Sequence, residues 1–244
     1  PVNTRQNLKI CHNMKRIQIF VSMALILLMA GCSKQDGKKE YPMGIQSVLW
    51  YQHAAEAKAL YLQGYNLASS IMLDSLAENP GKQYAVVLDI DETVLDNSPY
   101  NAHLLQQGKT YSPGSWAAWC RRKEARALPG AARFTRQADS LGVALYYISN
   151  RPDSLRGVTF ENLVKEGFPV EDTAHLLLKT SSSGKDRRRA LVSAGNHVLL
   201  FIGDNLGDFD GVFDNREAVH LERELEQNAD LFGTRFILMP NPVY

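Results

Sequence analysis

The sequence predicts an α/β domain of the doubly wound class, a parallel sheet with helices on both faces. Three observations carry that expectation. Five short apolar runs, at 84–88, 144–148, 174–178, 198–202 and 235–239, are continuous rather than alternating, as strands buried on both faces are. Segments with helical spacing separate them. Acidic or hydroxyl residues follow several runs directly, at the strand ends where open parallel sheets bind their ligands.

Taken in order, the chain opens with an export segment. Met14-Lys15-Arg16 precedes a mostly apolar stretch that ends in Ala30-Gly31-Cys32. The stretch is too short to span a bilayer and has the layout of a bacterial export signal. Residues 1–31 are therefore expected to be upstream sequence plus signal peptide, with Met14 as the start. The alternative is an ordinary cleaved signal in which Cys32 is incidental. Cleavage before Cys32 would remove Arg5, Lys9, Lys15 and Arg16 and no acidic residue, turning the formal charge of +1 into −3. Of the three cysteines, Cys11 would be lost with the signal and Cys32 would stand at the new N-terminus as the residue that carries lipid, leaving Cys120 as the one free thiol.

Residues 32–42 have no apolar periodicity and read as a tether, which leaves 43–244 as the folded domain. Its first part, 45–76, is Ala- and Leu-rich with helical spacing and is expected to form two helices broken near Gly64. Their aromatic residues, Trp50, Tyr51, Tyr61 and Tyr65, read as core. Ala131, Phe134, Thr135, Ala138 and Leu141 form an apolar stripe, and 155–166, 186–194 and 216–231 are further helix candidates. About forty residues separate the first two strands, too many for a plain connection, so a small helical cap is expected at about 92–128. The mixed charges, 27 basic against 26 acidic, give no extended basic surface and argue against a nucleic-acid polymer as partner. Spacing of the cysteines excludes a zinc ribbon or a disulfide scaffold.

The chemistry stands at the strand ends. The first run is followed by Asp89-Ile90-Asp91-Glu92-Thr93, the second by Ser149-Asn150-Arg151 and the fourth by Gly203-Asp204-Asn205-Leu206-Gly207-Asp208, with Lys185 after the third. Asp89, Asp91, Asp204 and Asp208 would bring up to four carboxylates together, an arrangement that a divalent cation relieves. Hard oxygen ligands without His or Cys favour Mg²⁺. Ser149 and Lys185, with Asn150 and Arg151 as further candidates, could hold phosphoryl oxygens. Asp89 could attack phosphorus while Asp91 protonates the leaving oxygen and later deprotonates water. Ser181-Ser182-Ser183-Gly184-Lys185 is no Walker sequence, since Lys179 and Asp186 stand where that motif needs Gly and Ser or Thr.

This ordered set of motifs resembles the haloacid dehalogenase superfamily of phosphohydrolases. More narrowly, residues 87–100 and 202–209 resemble the two signatures of class C bacterial acid phosphatases, a family that includes outer-membrane lipoproteins acting as 5'-nucleotidases. The resemblance implies a Rossmann-like fold with N-terminal helices and an aspartyl-phosphate on Asp89, with Asp91 as general acid and base. It implies Mg²⁺ held by the carboxylates of Asp89 and Asp204 and the backbone carbonyl of Asp91, with Asp208 orienting bound water. Lys185, or alternatively Lys179, would be the motif lysine. Ala30-Gly31-Cys32 resembles a lipobox, with Met29 where Leu is usual, which would make Cys32 the lipidated residue of an outer-membrane anchor.

The resemblance also touches the leaving group. Ser115-Trp116-Ala117-Ala118-Trp119 is similar to the family's cap segment, and Tyr244 lies in a segment similar to the family's closing one, so Trp116 and Tyr244 are candidates to sandwich a nucleobase. The alternative is that both simply pack. Arg121, Arg122, Lys123 and Arg126 read as a solvated helix face, Arg187, Arg188 and Arg189 as better placed to guide anions, and Asp96 and Asn97 as turn residues. The substrate expected is a small phosphomonoester, a nucleoside 5'-monophosphate above all. A broad acid phosphatase without base preference and a non-catalytic binding lipoprotein remain as alternatives. No oligomeric state is selected, a dimer being one compatible arrangement.

Overall fold

The computed structural model describes residues 43–243. The signal peptide, Cys32, the 32–42 tether and Tyr244 lie outside the described residues. Helices α1 (Ile45–His53) and α2 (Ala55–Glu78) lead into strand β1 (Tyr84–Leu88). Strand β2 (Leu95–Asp96), helices α3 (Ser98–Gln106) and α4 (Pro113–Arg122) and strand β3 (Arg126–Ala127) follow. Then come α5 (Ala131–Ser140), β4 (Ala144–Pro152), α6 (Arg156–Lys165), β5 (Leu176–Lys179), α7 (Asp186–Gly195), β6 (His197–Gly203), α8 (Ala218–Gln227) and β7 (Phe236–Leu238).

The five longer strands form one sheet in the order β5-β4-β1-β6-β7, and every neighbouring pair is parallel. Strand β1 is central and fully buried, so its residues divide by the period of two between the faces. Val86 and Leu88 pack with Tyr61, Tyr65, Met72 and Phe134 from α2 and α5. Ala85 and Val87 pack on the other face with Val192, Phe201, Phe209, Phe213 and Phe236. Each Val, Leu, Met or Phe side chain among these contributes roughly 1.5–3 kcal/mol by leaving water. Two-sided burial of this kind is what the continuous apolar runs anticipate.

The excursion after β1 closes on itself. Leu95 pairs with Ala127 and Asp96 with Arg126, antiparallel, so β2 and β3 pin together the two ends of the segment that carries α3 and α4. Helix α4 begins at a capping box in which Ser112 and Ser115 bond reciprocally, and Pro113 occupies its first turn.

Several expected boundaries move. The N-terminal helical segment breaks at Ala54, whose backbone is extended, and not at Gly64. Gly64 lies inside α2 because a Cβ there would come within 2.9 Å of Met239 Sδ, so the glycine permits close approach to the segment after β7. Strand β5 starts at Leu176, since Asp172 accepts from the backbone N–H groups of Ala174 at 2.7 Å and His175 at 3.2 Å and closes a tight turn first. Strand β4 continues through residues 149–152 beyond its expected end. The last helix is shorter than 216–231, ending at Gln227 before a separate turn at Ala229–Leu231. No helix among the described residues is long and apolar enough to cross a membrane.

Candidate active site

The loop after β1 is shaped by one buried side chain. Ile90 is fully enclosed, and its carbonyl accepts the N–H groups of Val94 at 3.0 Å and Leu95 at 2.9 Å. This turn holds Asp89 and Asp91 on either side of an apolar anchor. Glu92 closes it with φ at 55°, a left-handed conformation uncommon for a residue with a Cβ. Its N–H donates to Leu95 O at 2.9 Å, and its carboxylate accepts the N–H of Asn97 at 2.9 Å. From below, the N-terminal helices brace the same loop. Tyr65 donates its hydroxyl to Thr93 O at 2.7 Å, and Tyr61 donates to Glu92 O at 2.5 Å with Tyr51 bonded behind it at 2.6 Å. These tyrosines are core residues, as their setting in the sequence suggests, and their hydroxyls also serve the loop.

A cavity of about 510 Å³ opens at the carboxyl ends of the strands, lined among others by Asp89, Asp91, Ser149, Asn150, Lys185 and Asp204. Carboxylate oxygens of Asp89, Asp204 and Asp208 all lie within 4.8 Å of one another. Lys185, at the start of α7, places Nζ 2.6 Å from Asp208 Oδ1 and bonds to Asp89 as well. Lys179 instead ends β5 beside Pro152 and does not line the cavity, which selects Lys185 of the two candidates. Thr93 donates to Asp204 Oδ1 at 3.1 Å and Asn241 to its Oδ2 at 2.7 Å. Asp208 folds back to accept the N–H of Asn205 at 3.0 Å. Gly203 makes room for that fold, because a Cβ on it would sit 2.5 Å from the Asp208 Cβ.

Electrostatically this cluster is in conflict. Burial pushes the Asp89 carboxyl well above its usual range, with Lys185 opposing and Asp208, Asp204 and Asp91 adding to the rise. Asp204 is pushed up to about 7 by burial and then by Asp208. Burial opposes the charge of Lys185, yet Asp208 and Asp89 raise its pKa above the ordinary lysine value. Three crowded carboxylates share one ammonium, and a hard divalent cation suits the remaining charge and the all-oxygen donor set.

Asp91 does not join them, a correction to the four-carboxylate expectation. Its carboxylate faces Arg151, which reaches it with Nη2 at 2.7 Å and Nε at 2.9 Å, and Asn97 Nδ2, at 2.8 Å. Ser149 Oγ donates to Asp91 Oδ2 at 3.3 Å while accepting the N–H of Arg151 at 3.1 Å. Arg151 is buried and turned to Asp91, so the phosphate contact suggested for it does not hold, whereas Asn97 stands at the turn into α3 as expected and its side chain reaches Asp91 as well. Asn150 is exposed at the cavity rim, where its Oδ1 accepts from Arg188 at 2.7 Å.

The basic runs resolve differently. Arg188 also donates to Ser149 O at 2.6 Å, and Arg189 to Gly207 O at 2.7 Å, so both tie motif loops together. Arg122, Lys123 and Arg126 pair at the surface with Glu124, Glu161 and Glu166, in keeping with a solvated face. Arg216, absent from the expectations, lines the main cavity and donates to Asn205 Oδ1 at 2.5 Å. No spacing rule flags it. Cys120 is a buried free thiol, pushed up to about 11 by its burial.

Trp116 borders a second cavity of about 340 Å³ beside the first, with Tyr100, Tyr111, Asp91, Asn150 and Arg151. Its ring lies 5.2 Å from that of Tyr100 and 6.5 Å from that of Tyr111. Tyr100 and Tyr111 were not singled out by the sequence. Only their position in the cap reveals them.

A parallel doubly wound sheet with an acidic cluster, a lysine and a hydroxyl at its strand ends is the frame of the haloacid dehalogenase class. Residues 37–244 match the family model described as HAD superfamily, subfamily IIIB (acid phosphatase), and the chain belongs to that family. Among solved structures it is similar to the class C acid phosphatase from Bacillus anthracis with tungstate bound. The two are 42% identical with a TM-score of 0.79, covering 82% of this chain and 84% of the other. Acid phosphatase 1 of Solanum lycopersicum is 29% identical over 133 residues, 51% of each protein. Vegetative storage protein 1 of Arabidopsis thaliana is 27% identical over 165 residues, 64% of this chain and 58% of the relative. The matches thus span about half to three-fifths of these curated relatives' length.

Proposed function

We propose that this protein is a Mg²⁺-dependent phosphomonoester hydrolase that works through an aspartyl-phosphate and prefers nucleoside 5'-monophosphates. The observation that carries the reaction is the placement of Asp89 at the end of β1, in a cavity with Asp204, Asp208, Lys185 and Ser149 around it. An oxyanion, tungstate, is bound by the Bacillus anthracis relative. Asp89 is the nucleophile. Asp91, on the same loop, is the general acid and base, and Lys185, Ser149 and Asn150 hold phosphoryl oxygens whose charge shifts during transfer. Asp89, Asp204 and the backbone carbonyl of Asp91 would hold Mg²⁺, with Asp208 behind them. When bound, the ion supplies charge neutralisation and polarises the phosphoryl group.

The base preference rests on Trp116, Tyr100 and Tyr111, which give a flat ring an aromatic wall next to Asp91. Tyr244 is the proposed partner on the other side. Residues 14–32 support export and lipid anchoring through Cys32 in the cell envelope, the outer membrane being the proposed site. Charged nucleotides cross membranes poorly, so dephosphorylating them outside the cytoplasm has an evident use.

The test is phosphate release from a panel of mononucleotides, sugar phosphates and small aryl phosphates, with Mg²⁺ and with chelator. Release that requires the metal and is fastest with 5'-mononucleotides is expected. Equal rates across the panel would replace the nucleotide preference with a broad acid phosphatase, and no release at all would remove the catalytic reading.

A further inference from the structure

Asp91 is held by more donors than any other carboxylate of the site, and its two oxygens are held unequally. Oδ1 accepts Arg151 Nη2 at 2.7 Å, Asn97 Nδ2 at 2.8 Å and Arg151 Nε at 2.9 Å. Oδ2 has two longer contacts, Arg151 Nε at 3.2 Å and Ser149 Oγ at 3.3 Å. An oxygen faced by three N–H groups has no direction left in which to carry a hydrogen of its own. Its partner oxygen does.

The donors are themselves held in place. Asn97 Oδ1 accepts Trp119 Nε1 at 2.8 Å and Arg151 Nη2 at 3.4 Å, so the amide presents Nδ2, and not its oxygen, to Asp91. Arg151 is 1% exposed. Its Nη1 donates to Thr159 Oγ1 at 3.3 Å from α6, and Cζ lies 5.6 Å from the centroid of the Trp116 ring. With Nε and Nη2 on Asp91 and Nη1 on Thr159, this guanidinium is committed away from the phosphate cavity, whose lining does not include it. Planar fork geometry is what a lysine could not reproduce here.

We propose that Arg151, with Asn97, is a positioning residue that occupies Asp91 Oδ1 and so makes Oδ2 the single oxygen through which Asp91 gives and takes its proton. This rests on Asp91 acting as general acid and base. In the first step Asp89 forms a bond to phosphorus as the bond from phosphorus to the leaving oxygen breaks. The electron pair stays on that oxygen, which takes the proton from Oδ2. In the second, water attacks phosphorus, its proton passes to Oδ2, and the pair from the broken phosphorus bond returns to the Asp89 carboxylate.

The distinguishing readout is dependence on the leaving group. An alkoxide needs protonation as it departs, whereas p-nitrophenolate hardly does. Glycerol phosphate and p-nitrophenyl phosphate, neither carrying a nucleobase, are compared by kcat/KM for the wild type, Asp91→Asn and Arg151→Lys with Mg²⁺ present. Asp91→Asn is expected to lose about 10²–10⁴-fold on the alkyl ester and far less on the aryl ester. Arg151→Lys should show the same selectivity, about 10–100-fold on the alkyl ester. If Asp91→Asn is selective and Arg151→Lys lowers both substrates equally or neither, the positioning proposal is overturned while the general-acid role stands. If Asp91→Asn itself is unselective, the general-acid role falls and takes the proposal with it. Should Arg151→Lys not fold, Asn97→Ser removes one Oδ1 donor and keeps the guanidinium. It is expected to show the same selectivity to a smaller degree, and equal losses on both esters would count against the proposal.

Discussion

The two sides of the site solve opposite electrostatic problems. At the ends of β1 and β6, Asp89, Asp204 and Asp208 crowd around a single lysine and are left with more negative charge than the protein itself neutralises. Two residues along, Asp91 meets a buried guanidinium and an amide that match it one for one. The first side is built to be completed by something from outside, and the second is already complete. A carboxylate cluster left short of positive charge is a binding site, whereas a carboxylate whose charge is matched and whose one oxygen is held by its neighbours is a shaped tool.

The largest test of this contrast removes the nucleophile. Asp89→Asn should abolish phosphate release, a loss on the order of 10⁴-fold or more as for other covalent nucleophiles. Because the substitution also takes a charge from the crowded side, thermal stability without metal should stay level or rise. Both are read from a phosphate assay and a melting curve on the same preparation.

Next is the response to pH and metal. The raised carboxyl groups on the crowded side make metal-free stability fully present below their ordinary value of about 4. It is lost as pH rises through the folded value, about 7 for Asp204. Metal-free protein should therefore melt at lower temperature at pH 8 than at pH 5, and added Mg²⁺ should raise the midpoint more at pH 8. A Mg²⁺ shift that is equal at both pH values would erase the distinction between the two sides.

Much of the crowded side was legible in the sequence, since Asp89, Asp204, Asp208 and Lys185 each follow a strand or open a helix at a readable position. The matched side was not. Arg151 stands two residues after Ser149 and reads as another phosphate ligand, and only the continuation of β4 through residue 152 turns its side chain toward Asp91. Asn97 looks like a turn residue until the cap folds Trp119 onto it. The break at Ala54 was equally hidden, because Gly64 carries the stronger breaking signal and its packing against Met239 is a tertiary fact. Local pattern places residues on elements, and long-range packing decides which way they face.

A smaller effect is expected in the cap. Trp116→Ala should lower kcat/KM for a nucleotide about 5–150-fold, matching a stacking contribution of about 1–3 kcal/mol, and barely change it for a small aryl phosphate. Similar losses on both would mean that the ring merely supports Arg151. The smallest change is expected beneath the loop. Tyr65→Phe deletes the bond to Thr93 O and should cost about 0.5–1.5 kcal/mol in denaturant unfolding, with the ring packing retained.

Tyr61 joins the two ends of the domain beneath the site. Its hydroxyl lies 2.5 Å from Glu92 O and 2.9 Å from Pro240 O, and the second partner is 179 residues further along the chain. Gly64, one turn on, meets Met239 in the same way. One hydroxyl thus touches both the loop bearing Asp89 and Asp91 and the segment after β7, so the seat of the catalytic loop is shared between opposite ends of the described chain. Bringing such distant segments together carries a loop-closure cost that local contacts do not.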